Sequence, residues 1–175
     1  IDTLRCELQS GPRHFRFSPD RKYLYLLYEL KNVVDVYSFH EEEDGGEVSF
    51  EKIQMISTFL EKDRDPLIAA CQMRFSPDKE ASHLIVANAG INTISIYDRD
   101  LDTGLLTMKG SLPVGGEDPK DFCIFPDERH IAVANNESGT ITFLNIDYEH
   151  GLLSMSAREL EVDEPNCICM VKCRG

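Results

Sequence analysis

A turn motif recurs three times in the sequence, and this internal repeat constrains the fold more than any other feature. The motif F-S-P-D occupies residues 17–20 and 75–78, and F-P-D returns at residues 125–127. Proline presets φ, and the serine and aspartate side chains bond back to the local backbone, so each copy predicts a tight turn. Copies recur about every 50 residues, a period typical of repeat architectures.

Each repeat contains four strand-like runs, one before the turn and three after it. In the first unit the later runs cover residues 23–30, 33–39 and 48–58. A β-sandwich also has short, closely spaced strands, but it has no reason to repeat its sequence at a fixed period. Four antiparallel strands per repeat are typical of a β-propeller blade. We therefore predict an all-β fold, a β-propeller of four-stranded antiparallel blades.

The repeat also predicts the boundaries of the blades. Propellers have at least four blades, whereas this chain supplies about three, so we expect it to be a fragment of a longer chain. The ring would be completed by the rest of its own propeller or by a second copy. The predicted units are residues 1–10, the outer strand of a preceding blade; 11–66, a blade with an acidic loop insertion; 67–116 and 117–164, two further blades; and 165–175, the inner strand of a following blade.

The strongly acidic composition limits the partners of the chain. Its formal net charge is −13, and binding to nucleic acid or to an anionic membrane requires basic patches. No run approaches the ~20 apolar residues of a membrane span. We therefore expect neither nucleic acid nor membrane as a partner. The acidic run at residues 41–44 is interpreted as a solvated loop, with a metal-binding loop as the alternative.

The six cysteines are interpreted as reduced structural thiols. Most lie in predicted strands beside apolar residues, where cysteine behaves as a small hydrophobe. Cys167, Cys169 and Cys173 form a cluster, but its spacing lacks the C-x2-C pattern of zinc sites. We therefore predict no metal site, and reduced thiols favour the cytoplasm.

Four further motifs carry a resemblance to a known family. They are G-P-R-H at residues 11–14, Y-E-L at 28–30, A-N-A-G at 87–90 and D-P-K-D-F at 118–122. With the F-S-P-D turns, they resemble the lactonase family of seven-bladed propellers, which includes propeller-type 6-phosphogluconolactonases and fungal carboxymuconate cyclases. The resemblance covers essentially the whole chain. It implies about three blades of seven, and hydrolysis of a sugar-acid lactone such as 6-phosphogluconolactone, without a cofactor.

The resemblance and the blade geometry together predict a site at one end of the channel. Entry to a first strand and exit from a second strand lie on the same rim, so six side chains should face that end: Arg13, His14, Glu29, Asn88, Lys120 and Asn135. Opening a lactone requires oxyanion stabilisation, an activated water and anchors for anionic groups. We assign catalysis to Arg13 as an anion anchor, His14 as acid or base and Glu29 as the group that orients or deprotonates water. Substrate binding is assigned to Lys120, Gln72, Asn88 and Asn135.

Three departures from the family pattern support a second hypothesis. The family's N-R-G, A-E-I and P-R-D-F have become residues 88–90 (N-A-G), 71–73 (C-Q-M) and 119–122 (P-K-D-F). Two arginines and one carboxylate are therefore altered. The alternative is a non-catalytic propeller that binds a metabolite or a protein, in which Arg13 and His14 cap an inner strand and Gln72, Asn88 and Asn135 are structural.

Overall fold

The structure, a computed structural model, describes residues 3–41 and 46–171. Those residues contain thirteen β-strands and a single 3₁₀ turn at Glu61–Asp63, with no α-helix among them. The predicted all-β fold is confirmed. Within the same residues, no helix is both long enough and apolar enough to cross a membrane.

Three antiparallel sheets follow one another along the chain, and in each sheet the strands pair in sequence order. We call these sheets blades 1, 2 and 3. Blade 1 comprises β1 (Pro12–Phe17), β2 (Tyr23–Tyr28), β3 (Val33–Glu41) and β4 (Val48–Ser57). Blade 2 comprises β5 (Ala69–Phe75), β6 (His83–Ala89), β7 (Thr93–Arg99) and β8 (Leu106–Pro113). Blade 3 comprises β9 (Pro119–Ile124), β10 (His130–Asn135), β11 (Thr140–Asp147), β12 (Leu152–Met155) and β13 (Leu160–Glu161).

The S-P-D motifs form the turns between the first and second strands of blades 1 and 2. In blade 1 the Ser18 hydroxyl donates to Asp20 Oδ1 at 2.5 Å and accepts a hydrogen bond from the Tyr23 backbone N–H at 3.1 Å. The second copy repeats this pattern, since Ser76 donates to Asp78 and accepts from the His83 backbone. The motif thus ties the end of the inner strand to the start of the next one.

The outermost strand of blade 3 differs from the sequence-based expectation of one run over residues 152–160. It is split into β12 and β13, which pair with opposite ends of β11. Residues 3–10 and 165–171 form no strand, so their assignment to neighbouring blades stays a prediction. Three of the four residues of the predicted acidic loop, and Cys173, lie outside the described residues.

Most of the hydrophobic core lies between the blades. One buried cluster joins blades 1 and 2, with Tyr25 and Val36 on one side and Met73 and Leu84 on the other. A second cluster joins blades 2 and 3 and includes Phe122. A smaller third cluster lies on the other face of blade 1, where non-strand residues that precede β1 cover it. Burial of one such side chain stabilises the fold by about 1.5–3 kcal/mol.

An asparagine in the β2–β3 turn also joins blade 1 to blade 2. The Asn32 side chain donates from Nδ2 to the Ile68 carbonyl at 2.9 Å and accepts from the Ala70 N–H at 2.8 Å. Its φ of 54° lies in the left-handed region that asparagine tolerates. In blade 2, Asn92 has the same backbone conformation and accepts from the Asp118 N–H at 2.9 Å. This turn therefore positions the inner strand of the following blade.

We predict that Asn32→Gly lowers the free energy of unfolding by about 1–3 kcal/mol, because it leaves the Ala70 N–H and the Ile68 carbonyl without their partner. Glycine keeps the left-handed backbone, so the loss reports the two hydrogen bonds and the added chain entropy. Urea unfolding measures it. The control is Arg21→Gly, since Arg21 has φ of 57° and an exposed side chain with no hydrogen bond. Equal stability of the two variants would contradict the prediction.

Candidate active site

The inner strand of each blade carries a β-bulge at the same place, near its first residue. The pairing with the second strand skips one residue in β1, in β5 and in β9. A bulge turns the unpaired side chain away from the regular ladder, and bulges are frequent beside active sites. Because all three inner strands begin at the same rim, the three bulged residues lie at one end of the blades: Arg13, Cys71 and Lys120.

Arg13 and Glu29 form an ion pair at this rim. Arg13 Nη1 lies 2.6 Å from Glu29 Oε1, and the two side chains are 32% and 34% exposed. Glu29 directly follows β2, and its backbone N–H donates to the Gly11 carbonyl at 2.8 Å. The structure therefore brings together two of the three predicted catalytic residues, and both remain accessible to a ligand.

His14 follows Arg13 and is half-buried at the junction between blades 1 and 2. Burial lowers the pKa of His14, and the nearby Arg13 and Arg16 cations lower it further. A hydrogen bond with the Cys71 backbone and the Asp121 carboxylate act in the opposite direction but do not reverse the shift. At neutral pH the imidazole is therefore uncharged, so it can accept a proton at one nitrogen and donate from the other.

Lys120 occupies the bulge of blade 3 and pairs with Asp118, whose Oδ2 lies 2.8 Å from Lys120 Nζ. Between the two cationic bulges stands Cys71. Burial raises the pKa of the Cys71 thiol to about 11, and Arg13, Asp118 and Lys120 all act on it electrostatically. The thiol donates to the Pro119 carbonyl at 2.6 Å. Cys71 is therefore a neutral hydrogen-bond donor to the next blade and not a thiolate nucleophile.

Gln72 and Asp121 form a buried pair one residue beyond the bulges. Gln72 Nε2 donates to Asp121 Oδ1 at 2.8 Å, and Gln72 Oε1 accepts from the Met73 N–H at 2.9 Å. Asp121 also accepts from Arg74 Nη2 at 2.9 Å and from the Ile168 N–H at 3.0 Å. Both polar atoms of the Gln72 amide are thus already hydrogen-bonded within the protein. The structure does not leave this amide free for the predicted contact with substrate.

Sequence reasoning missed Asp121, which the structure places at the centre of this network. Burial alone would raise the pKa of Asp121, but hydrogen bonds from Ile168, Arg74 and Gln72 lower it, and the net direction is downward. The signal was present in the motif D-P-K-D-F, because Asp121 follows the blade 3 bulge as His14 follows the blade 1 bulge. The repeat register would have identified the two positions as equivalent.

The structure does not bring Asn88 and Asn135 to the Arg13–Glu29 pair. Both are fully buried. Asn88 donates to the Thr58 carbonyl at 2.8 Å, and Asn135 donates to Thr142 at 3.2 Å. Asn135 therefore bonds within its own blade, whereas Asn88 bonds to the residue that follows the outer strand of the preceding blade.

The reason is a register difference of one residue. Asn88 and Asn135 pair with the residue immediately before the bulge of their inner strands, as Tyr28 does in blade 1, whereas Glu29 comes one residue later. Successive strand residues point to opposite faces, so the expected grouping of Glu29 with the two asparagines is corrected. The pairs are Pro12 with Tyr28, Ala70 with Asn88, and Pro119 with Asn135. The residues that match Glu29 are Ala89 and Asn136.

This rim can bind an anion and position a water molecule. Arg13 and Lys120 supply two cations, Glu29 a carboxylate and His14 an uncharged imidazole. Among residues 3–41 and 46–171, no three histidine, cysteine or acidic side chains are grouped so that they could hold a metal ion. The four side chains at this rim are suited to acid–base and electrostatic catalysis.

Comparison with known proteins identifies relatives of the whole chain. A family model described as "Lactonase, 7-bladed beta-propeller" matches residues 2–170. A 6-phosphogluconolactonase of Bacillus subtilis is 28% identical over 123 residues, which cover 68% of this chain and 32% of that protein. The chain therefore spans about a third of the length of this relative.

Two solved structures agree with this comparison. The periplasmic gluconolactonase of Pseudomonas aeruginosa superposes with a TM-score of 0.80 at 25% identity, over 93% of this chain and 43% of that one. A putative 6-phosphogluconolactonase of Bacteroides fragilis has a TM-score of 0.81 at 25% identity, over 97% and 44% of the two chains. The resemblance and the blade architecture predicted from the motifs are both confirmed.

We predict that Asp121→Asn lowers the free energy of unfolding at pH 7 by about 1.5–3 kcal/mol, because hydrogen bonds to a charged group are lost. The pKa of Asp121 in the folded state lies below its ordinary value of 3.8. The stability contributed by the carboxylate is therefore complete above about pH 5 and is lost as pH falls through the folded-state pKa.

Urea unfolding between pH 7 and pH 3 measures this difference, which should shrink toward pH 3. Asp163→Asn is the control, because Asp163 is exposed and has no partner among the described residues. A wild-type advantage that stays constant with pH, or that grows in acid, would show that the Asp121 carboxylate is not what stabilises this junction.

Proposed function

The chain belongs to the lactonase family of seven-bladed β-propellers, and on that premise we propose that it hydrolyses a sugar-acid lactone at the rim that carries Arg13, Glu29 and Lys120. The observation that carries the proposal is the Arg13–Glu29 ion pair, 2.6 Å long and one-third exposed. It joins an anion anchor to a carboxylate at a bulge of the inner strand. Family membership supports lactone chemistry, and the pair supplies the groups such chemistry requires.

The proposed reaction is attack of water on the lactone carbonyl carbon. Glu29 accepts one proton from this water as the new carbon–oxygen bond forms. Arg13 and Lys120 stabilise the negative charge that develops on the carbonyl oxygen. The bond to the ring oxygen then breaks, and the proton that Glu29 took from water passes to the departing alkoxide through His14. The uncharged imidazole accepts this proton at one nitrogen and donates a proton from the other, so both residues return to their starting state. The product is the open hydroxy acid.

The proposed substrate is anionic, with 6-phosphogluconolactone as the specific candidate. Arg13 and Lys120 place two cations at one rim of a chain whose net charge is −13, and each lies beside a carboxylate, Glu29 or Asp118. Each cation carries several N–H donors, so it can also donate to an anionic substrate group. The planar fork of Arg13 suits a phosphate or carboxylate, and the Lys120 ammonium acts as a point charge. Two of the relatives are named for lactones of gluconic or 6-phosphogluconic acid, and this supports the class of substrate.

The alternative proposal is a propeller that binds such an anion, or a protein, without turnover. The observation that favours it is the state of blade 2, where the bulge holds the buried Cys71 thiol and the following Gln72 is bonded to Asp121. At these two positions blade 2 therefore offers the rim no free polar side chain. For either function we propose a cytoplasmic location, supported by the five free thiols of the described residues.

We predict that Glu29→Gln lowers kcat for 6-phosphogluconolactone by about 10²–10⁴-fold, because the amide cannot accept the proton of water. Arg13→Ala should lower kcat/KM, and Arg13→Lys should recover only part of it because the bidentate geometry is lost. Initial rates above the spontaneous hydrolysis of the lactone, followed at constant pH, give these values.

The matched control is Glu137→Gln, which removes an exposed carboxylate from the β10–β11 turn at the same rim. It should keep the wild-type rate. If all variants match the wild type, or if the wild type does not exceed the spontaneous rate, the hydrolytic proposal is lost. Binding of 6-phosphogluconate that depends on Arg13, without turnover of the lactone, would favour the alternative.

A further inference from the structure

The contact between successive blades follows one chemical rule in blades 2 and 3. The third residue of the third strand is a serine or threonine whose hydroxyl donates to a backbone carbonyl at the end of the preceding blade. Ser95 Oγ donates to the Thr58 carbonyl at 2.5 Å, and Thr142 Oγ1 donates to the Val114 carbonyl at 2.9 Å. In blade 2, Asn88 donates to the same Thr58 carbonyl.

Blade 1 breaks this rule, because Asp35 occupies the position of the hydroxyl. Asp35 pairs with Leu26 in β2 as Ser95 pairs with Val86 in β6. A carboxylate accepts hydrogen bonds and does not donate them. It cannot hold a backbone carbonyl as the hydroxyls of Ser95 and Thr142 do.

The Asp35 carboxylate is buried and only half satisfied by blade 1 itself. Asp35 is 4% exposed. Its Oδ2 accepts from Lys52 Nζ at 3.1 Å and from the Tyr37 hydroxyl at 3.2 Å. Its Oδ1 is buried without a hydrogen-bond partner in the described residues. A buried acceptor without a hydrogen bond destabilises the folded state, so a donor from outside blade 1 would stabilise this oxygen.

The face that holds Asp35 is partly covered by the chain that leads into β1. Leu4 and Cys6 pack on its apolar side chains, and Glu7 pairs with Lys31. A cavity of about 310 Å³ remains, with Asp35 in its wall. The Glu7 carbonyl does not take the place that the Thr58 carbonyl has beside Ser95, because it already accepts hydrogen bonds from the Ser10 backbone N–H and hydroxyl.

We propose that the blade preceding blade 1 in the same ring closes this face, and that it contacts Asp35 Oδ1 with an N–H or O–H donor instead of a backbone carbonyl. The occupant follows from continuity, because the corresponding faces of blades 2 and 3 are each covered by the preceding blade. The donor follows from the replacement of a hydroxyl by a carboxylate. At this junction blade 1 therefore accepts a hydrogen bond from the preceding blade, whereas at the other two junctions the later blade donates one.

The test compares melting temperatures of the whole protein in a background that lacks the two donors of blade 1, Lys52→Met with Tyr37→Phe. In this background Asp35→Leu, which removes the acceptor but fills the space, should lower Tm by roughly 3 °C or more, because it leaves the donor of the preceding blade unpaired. If that blade presents a carbonyl, the substitution removes an acceptor that faces another acceptor, and Tm will rise. A rise or no change overturns the proposal.

One further variant calibrates the result. Ser95→Asp places a carboxylate against the Thr58 carbonyl, so it should lower Tm and give the size of a mismatched contact. If the double background does not fold, a crystal structure of the whole protein decides. An N–H or O–H group within about 3.2 Å of Asp35 Oδ1 supports the proposal, and a carbonyl at that place overturns it. Sedimentation that shows a dimer which Asp35→Leu dissociates would identify a second copy as the occupant and also overturn the proposal.

Discussion

The second strand of every blade is buried on both faces, and at both junctions between the blades the cover is a neighbouring sheet. The structure depends on this constraint, because the two larger apolar clusters are each built from two blades. Stacking the sheets buries Tyr25 and Met73 at one junction and Phe122 at the next. It also forces the inner strands together, so that Cys71 donates to the Pro119 carbonyl and Arg74 to the Phe122 carbonyl, at 2.6 Å each.

The inner strands carry the chemistry because stacking aligns equivalent positions of different blades. The three bulges lie at the same height, and the side chains there are a guanidinium, a thiol and an ammonium. One residue further along, the equivalent positions hold His14, Gln72 and Asp121. The backbone is therefore repeated while the side chains differ, and the rim gains two cations and a carboxylate without any change of fold. The same substitution of side chains on a repeated backbone explains why Asp35 changes the direction of a blade contact.

The fold could be predicted from the sequence because the signals of turn and alternation are local. The S-P-D turns and the four runs per repeat needed no knowledge of distant contacts. The split of the last strand into β12 and β13 could not be predicted, because it depends on which residues of β11 each part pairs with. The bulges were equally invisible, since a bulge is a property of hydrogen-bond register and leaves no mark on composition.

The site was only partly predictable for the same reason. The Arg13–Glu29 pair followed from their places at the entry and exit of two adjacent strands. Asn88 and Asn135 were misplaced by one residue, and in a strand one residue exchanges the two faces. Asp121 was overlooked because three of its hydrogen-bond donors, Gln72, Arg74 and Ile168, come from segments distant in sequence.

The central claim is that the bulged residues of neighbouring blades form one anion-binding rim. The most direct measurement is a crystal structure of the protein with 6-phosphogluconate bound. The account predicts an anionic group of the ligand about 2.7–3.2 Å from Arg13 or Lys120, with Glu29 beside the carbon that carries the carboxylate. A ligand ordered at the opposite end of the blades, beside the S-P-D turns, would contradict it.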